Sequence, residues 1–302
     1  MKKEDLNWEG CFSVMIVPFE DDGSIDEKGY IQYTERMLMD GAGGIMTLGH
    51  NSECWALSKE EKKYIAKLTV DVVNKRAPVV IGADDIEMKA LIESCNMATE
   101  VGADGVMVPP PYILGRASRD EIMYRYQRLS DETELPIMLY NNPRRTQIYM
   151  TPDMIDELAD IDKVMAIKNT IDSMSDFATV LRKCSDRMII FANTVFCLPL
   201  LIMGADGMLA TGPIEIIGQP AKEFYEKAKR IEITDDVKKI YFQICELMKV
   251  LWKYGTWPAT LKAALDLVGK PSGCVRPPVM PISPQDKEKL KRELIELDIP
   301  VI

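Results

Sequence analysis

The chain has 302 residues, 47% hydrophobic and 28% charged, the composition of a globular protein with a full core rather than a disordered or fibrous one. Its 37 basic and 47 acidic side chains leave a formal charge of −10, which argues against wrapping nucleic acid or sitting on an anionic membrane. A single histidine, His50, and seven cysteines with no C-x-x-C pair exclude a zinc finger or His-rich metal centre and fit a reducing, cytoplasmic setting. No metal and no cofactor is expected. The opening residues lead into no apolar signal region, and the longest apolar stretch, near 196–205, is too short to span a bilayer.

Eight short apolar runs punctuate the chain, at 12–19, 44–48, 78–82, 106–108, 136–140, 164–167, 188–191 and 208–210. They are rich in Val, Ile and Met and do not alternate, which predicts parallel strands buried on both faces. Helix starts lie between them. Ser58-Lys59-Glu60-Glu61 and Ser118-Arg119-Asp120-Glu121 read as capping boxes, and Thr151-Pro152 as an N-cap followed by proline.

A phrase recurs three times: Gly41-Ala42-Gly43-Gly44, Gly102-Ala103-Asp104-Gly105 and Gly204-Ala205-Asp206-Gly207. A glycine closing a helix in the left-handed conformation, a tight turn and then a strand would read this way. The spacings suit about two and four copies of a βα unit of about 25–30 residues. The fold class that follows is α/β, a (β/α)8 TIM barrel. A doubly wound sheet is the weaker reading, since no G-x-G-x-x-G follows the first run. Beyond residue 233 the pattern is purely helical, over 235–254, 258–268 and 284–297. The expected organisation is a catalytic barrel over 1–233 and a helical extension over 234–302 packed on it.

In such a barrel, chemistry belongs where the strands end. The sixth run stops at Lys168, where partial desolvation would lower the amine pKa and ready it to form a Schiff base with a ketone. Taken alone, a strand-end lysine better fits one that snorkels to solvent. The fifth run stops at Tyr140, one βα unit earlier, whose phenol could move protons beside that amine. Arg145, five residues on, is a forked cation suited to a carboxylate, or only to a rim ion pair. The second run leads into Gly49-His50-Asn51-Ser52-Glu53, a loop whose backbone N–H groups could face a carboxylate. Tyr112 follows three prolines that would aim its hydroxyl.

Together these residues resemble the dihydrodipicolinate synthase / N-acetylneuraminate lyase family of class I aldolases, from Gly10 to about Pro281. The resemblance rests on Pro18-Phe19 at the end of the first strand, the 49–53 loop, the glycine phrases, Tyr112, Tyr140-Asn141-x-Pro143-x-Arg145-Thr146 and Ile167-Lys168. It implies that Lys168 forms a Schiff base with pyruvate or another 2-oxo acid, and that Tyr140 transfers protons. It also implies that Tyr112 reaches across a subunit contact of a homo-oligomer, a tetramer or dimer. Gly49, His50 and Asn51 would grip the 2-oxo carboxylate, Arg145 would lie near the aldehyde, and Leu209 would line the pyruvate pocket.

The departures are as telling. His50 stands where the synthases have a relay threonine, and Ala192-Asn193-Thr194 replaces a carboxylate-bearing sequence that in the lyases holds a polyhydroxy tail. The expected activity is therefore a Schiff-base carbon–carbon or carbon–oxygen lyase acting on a 2-oxo acid, with pyruvate as substrate or product. The alternatives are dihydrodipicolinate synthesis from pyruvate and aspartate semialdehyde, and a catalytically silent barrel that binds a 2-oxo acid.

Overall fold

In the computed structural model, which describes residues 2–209 and 211–302, eight strands close into one barrel. They are β1 (Gly10–Val14), β2 (Gly44–Thr47), β3 (Val79–Gly82), β4 (Gly105–Val108), β5 (Ile137–Asn141), β6 (Val164–Asn169), β7 (Ile189–Asn193) and β8 (Gly207–Leu209). Strands adjacent in sequence are adjacent in the barrel and every pairing is parallel. Closure comes from Gly10 opposite Gly207 and Cys11 opposite Met208. The expected TIM barrel is the observed fold. Ala210, the last residue of the eighth expected run, lies outside the described residues.

Each recurring phrase does two jobs. Its first glycine, Gly41, Gly102 or Gly204, turns the chain out of a helix at φ of 88°, 85° and 104°, where a side chain would be strained. Its last glycine, Gly44, Gly105 or Gly207, opens a strand where a Cβ would come within 2.3, 2.3 and 2.6 Å of the rings of Phe12, Trp8 and Phe191. Those rings fill the N-terminal end of the barrel, Phe12 and Phe191 lying 4.6 Å apart between centroids. The aspartates of the second and third phrases also share a role. Asp104 and Asp206 each accept, at 2.8 Å, the backbone N–H of the neighbouring strand, from Val79 and Ile190.

Inward residues such as Val14, Met46, Val80, Met107 and Met138 alternate with outward ones such as Ile45, Ile81, Val106 and Ile137, which pack under the helices. Both faces are apolar, so the alternation of direction leaves no alternation in the sequence. On the last inward rung of β5 and β6 the pattern breaks, and Tyr140 faces Lys168.

β1 ends sooner than the run at 12–19 predicts, because side chains take over its backbone groups. The Val14 N–H donates to Glu215 at 2.8 Å, the Val14 carbonyl accepts from Asn51 Nδ2 at 2.8 Å, and the Met15 carbonyl accepts from Ser52 Oγ at 2.7 Å. Pro18 has no N–H with which to resume the ladder. Phe19, expected to end the strand, instead forms antiparallel bridges with Ile25 and Cys274. The capping boxes at Ser58 and Ser118 and the Thr151 cap form as predicted.

After the barrel come three longer helices, Asp235–Leu251, Trp257–Leu267 and Pro284–Glu296. The middle one is anchored to the 49–53 loop by groups that are themselves out of water. Lys262 Nζ meets Glu53 Oε1 at 2.6 Å with side chains 3% and 0% exposed, and Trp257 Nε1 donates to Asn51 Oδ1 at 2.9 Å. Among the described residues, Lys262→Met would leave the buried Glu53 carboxylate hydrogen-bonded only by the Arg276 N–H, at 3.0 Å. The expected cost is about 3–5 kcal/mol, read as a lower urea midpoint. A loss below about 1 kcal/mol would mean that the carboxylate finds water or protonates at little cost.

Candidate active site

At the C-terminal end of the barrel lies a cavity of about 560 Å³, and Lys168, Tyr140, His50, Asn51, Arg145 and Leu209 all line it. Tyr112 lines a smaller pocket alongside, which shares His50 and Arg145 with the first. Gly49 caps the turn His50–Ser52 from below.

Lys168 reaches the cavity because β6 ends there in register with Tyr140 on one side and Phe191 on the other. Its Nζ has no hydrogen-bond or ion-pair partner among the described residues and sits 4.9 Å from the Tyr140 ring centroid. Burial is the main cause of an amine pKa brought down to about 8; Glu215 pulls it back up and Arg145 pushes it further down. At neutral pH an appreciable share of the amine is free base, the form that attacks a carbonyl.

Tyr140 is 5% exposed, and its hydroxyl accepts from Asn142 Nδ2 at 2.7 Å. Burial raises the phenol to about 12, with Asn142 and Arg145 opposing. On its other side stands His50 Nδ1, at 3.4 Å. Desolvation, then Arg145 and Lys168, lower the imidazole pKa to about 4, so His50 is neutral. Asp84 Oδ2 lies 3.8 Å from His50 Nε2 and favours the tautomer with the proton on that nitrogen. The Nδ1 lone pair is then free to accept the Tyr140 proton. The other oxygen of Asp84 accepts the Tyr112 hydroxyl at 2.8 Å. One connected row, Tyr140, His50, Asp84 and Tyr112, thus runs along the cavity wall.

The 49–53 loop is held rigidly. Both ends of the Asn51 amide are engaged, one with Val14 and the other with Trp257, and Ser52 is tied to Met15. The Asn51 side chain is therefore fixed in place, and the backbone N–H groups at the start of the turn are left to meet an anion. Arg145 lies on the short helix Pro143–Thr146, with its guanidinium 5.8 Å from the Trp252 ring centroid and no hydrogen-bond partner for its side chain among the described residues. Its neighbour Arg144 is taken up by Asp172, at 2.8 and 3.2 Å.

Sequence reasoning missed Asp84, Asn142 and the two tryptophans. Asp84 stands two residues past the end of β3, so the strand-end rule applied to the second, fourth, fifth and sixth runs would have found it at the third. Asn142 sits inside the quoted Tyr140 motif; its Oδ1 is buried without a partner among the described residues. Trp252 and Trp257 belong to the helical extension, whose register against the barrel mouth has no local sequence signal.

A strand-end amine of lowered pKa facing a buried phenol, in the mouth of an eight-stranded parallel barrel, defines a Schiff-base-forming lyase of the TIM-barrel class. More narrowly, the chain belongs to the Dihydrodipicolinate synthetase family, whose sequence model matches residues 7–297. It is 28% identical over 292 residues to the 4-hydroxy-tetrahydrodipicolinate synthase of Syntrophobacter fumaroxidans, covering 95% of this chain and 98% of the relative. The synthase of Clostridium perfringens is 31% identical over 273 residues, 90% of this chain and 92% of its own. Among solved structures, a dihydrodipicolinate synthase of Bacillus anthracis superposes with a TM-score of 0.91 at 26% identity, over 98% of this chain and 100% of that one. YagE, a prophage protein of the same family from E. coli K12 solved in complex with pyruvate, gives 0.92 at 26% identity, over 98% and 100%. No helix among the described residues is long and apolar enough to cross a membrane.

Proposed function

We propose that this chain is a class I aldolase that makes or breaks the bond between C3 and C4 of a 2-oxo acid, with pyruvate as the three-carbon partner. The observation that carries the reading is Lys168, an amine with a pKa near 8 and no partner among the described residues, facing Tyr140 in the barrel mouth. Lys168 Nζ attacks the C2 carbonyl, Tyr140 protonates the departing oxygen, and water leaves. The iminium then draws the electrons of the C3–C4 bond, or of a C3–H bond, towards nitrogen. The backbone of the Gly49–Asn51 loop and Arg145 meet the carboxylate. His50 accepts from the Tyr140 hydroxyl and Asp84 holds the His50 tautomer, so both are positioning residues. The pyruvate complex of YagE supports the choice of three-carbon partner.

The test is borohydride reduction in the presence of pyruvate, followed by peptide mass spectrometry. A reduced pyruvyl adduct on Lys168 is expected; an unmodified Lys168 after exposure to saturating pyruvate would overturn the reading. Arg145, with no ion-pair partner among the described residues, favours dihydrodipicolinate synthesis as the second reading, because it could hold the carboxylate of aspartate semialdehyde. A coupled assay with that aldehyde separates the two. The free cysteines support a cytoplasmic setting. The 53% exposed Ile113 beside the mouth supports a homo-oligomer that covers this edge.

A further inference from the structure

We infer that the aldehyde half of the substrate is apolar and ring-bearing, an aryl aldehyde rather than a sugar-like or amino-acid-like one. The inference rests on the pyruvate reading above and concerns the part of the cavity beyond the Schiff-base lysine. That part is walled by Val195 and Phe196 from the segment after β7, and by Met248, Trp252 and Trp257 from the extension. Trp252 and Val195 are 48% and 45% exposed, large apolar surfaces left facing the opening. The two indoles lie 4.8 Å apart at 39°, so the buried Trp257 braces the exposed Trp252, whose ring offers an aromatic surface at one edge of the cavity on which a second ring can stack.

The two polar side chains at the end of β7 that could serve a polyol are already committed. Asn193 donates to the Ile171 carbonyl at 2.9 Å and accepts the Phe196 N–H at 2.9 Å, and the Thr194 hydroxyl donates to the Leu209 carbonyl at 3.2 Å. An amino-acid aldehyde fares no better, because its ammonium needs an acceptor. Among the described residues, Asp172, which lines the cavity, is held by Arg144, and Asp84, along its wall, accepts from Tyr112. Arg145, stacked near Trp252 and close enough to Lys168 to depress its pKa, is left for the carboxylate of the 2-oxo acid itself.

In the synthetic direction the step balances without a further reactant. Loss of a C3 proton from the iminium gives an enamine, and C3 attacks the aldehyde carbon. The aldehyde oxygen takes up a proton to become the 4-hydroxyl, and water returns to C2 to release the Lys168 amine and a 4-aryl-4-hydroxy-2-oxobutanoate.

The experiment offers the native protein pyruvate with benzaldehyde, glyceraldehyde or aspartate semialdehyde and compares kcat/KM. Benzaldehyde is expected to lead both polar aldehydes by about tenfold to two-hundredfold, the range a well-filled apolar pocket delivers. Trp252→Ala should shrink that lead about tenfold, while Trp252→Phe, which keeps a ring, should retain most of it. Either polar aldehyde matching or beating benzaldehyde would overturn the inference, as would a lead unchanged in Trp252→Ala. Borohydride trapping on the same native preparation keeps the two failures apart. No pyruvyl adduct overturns the aldolase reading itself, whereas an adduct with a polar preference overturns only the aldehyde assignment.

Discussion

Lys168→Met is expected to lower turnover by roughly 10⁴–10⁶-fold, the scale on which losing a covalent nucleophile is felt, while making the folded protein more stable at neutral pH. The two effects have one cause. Folding brings the amine pKa from an ordinary 10.5 to about 8, so below pH 8 the native state carries an ammonium it would rather not hold. That shift corresponds to a penalty of roughly 3 kcal/mol, present in full below pH 8. Between pH 8 and 10.5 the unfolded chain binds more protons than the native one, so native stability rises with pH and the penalty disappears above 10.5. Methionine fills similar space without a charge, so the variant should melt higher than native at pH 7 and converge with it at high pH. Thermal melts across that range, beside steady-state kinetics, check both halves. A variant that melts lower at pH 7 would mean that the lysine stem or Glu215 contributes more by packing and pairing than the buried charge costs.

The same residues explain what was legible in the sequence. Lys168 and Tyr140 could be found because the barrel's strands are short and apolar on both faces, so a polar residue at the end of a run is conspicuous, and one βα unit separates the two. The glycine phrases marked helix ends for a backbone reason and strand starts for a steric one, and both reasons are local. β1 was overextended because residues 15–17 are as apolar as the strand itself. What ends the ladder is Glu215, Asn51 and Ser52, and Glu215 reaches Val14 across 201 positions of sequence. Contacts of that range leave no pattern in a local window. Asp84 and the aromatic wall of the cavity were hidden for the same reason: their meaning depends on which loops meet at the mouth. Arg125, fully buried on the helix Arg119–Glu132, fixes one such meeting by donating to the carbonyls of Pro109 at 3.1 Å and Asp85 at 2.7 Å, thereby holding the Asp84 and Tyr112 loops together.

Tyr140→Phe is expected to lower kcat by about 10²–10⁴-fold, the contribution of a positioned proton-transfer group, and to do so without shifting the pH at which activity rises. With its pKa near 12, the phenol is protonated throughout the working range and acts first as a donor. As it gives its proton to the departing C2 oxygen, the phenolate it leaves is stabilised by the Asn142 amide at 2.7 Å and by the nearby charge of Arg145. Phenylalanine keeps the ring against Lys168 but removes the proton, so the amine should still be free to attack. The rise of kcat/KM with pH reports the free enzyme's amine, so it should centre near 8 in the native protein and in Tyr140→Phe alike. His50→Ala gives the contrast. His50 is neutral above about pH 4, so its removal takes no charge from beside Lys168 and leaves the limb in place. The expected loss is about tenfold, because the phenol keeps its Asn142 bond but loses the acceptor on its other side. A limb that moves in His50→Ala, or a Tyr140→Phe variant within threefold of native, would show that His50 titrates with the substrate and that it, rather than Tyr140, moves the proton.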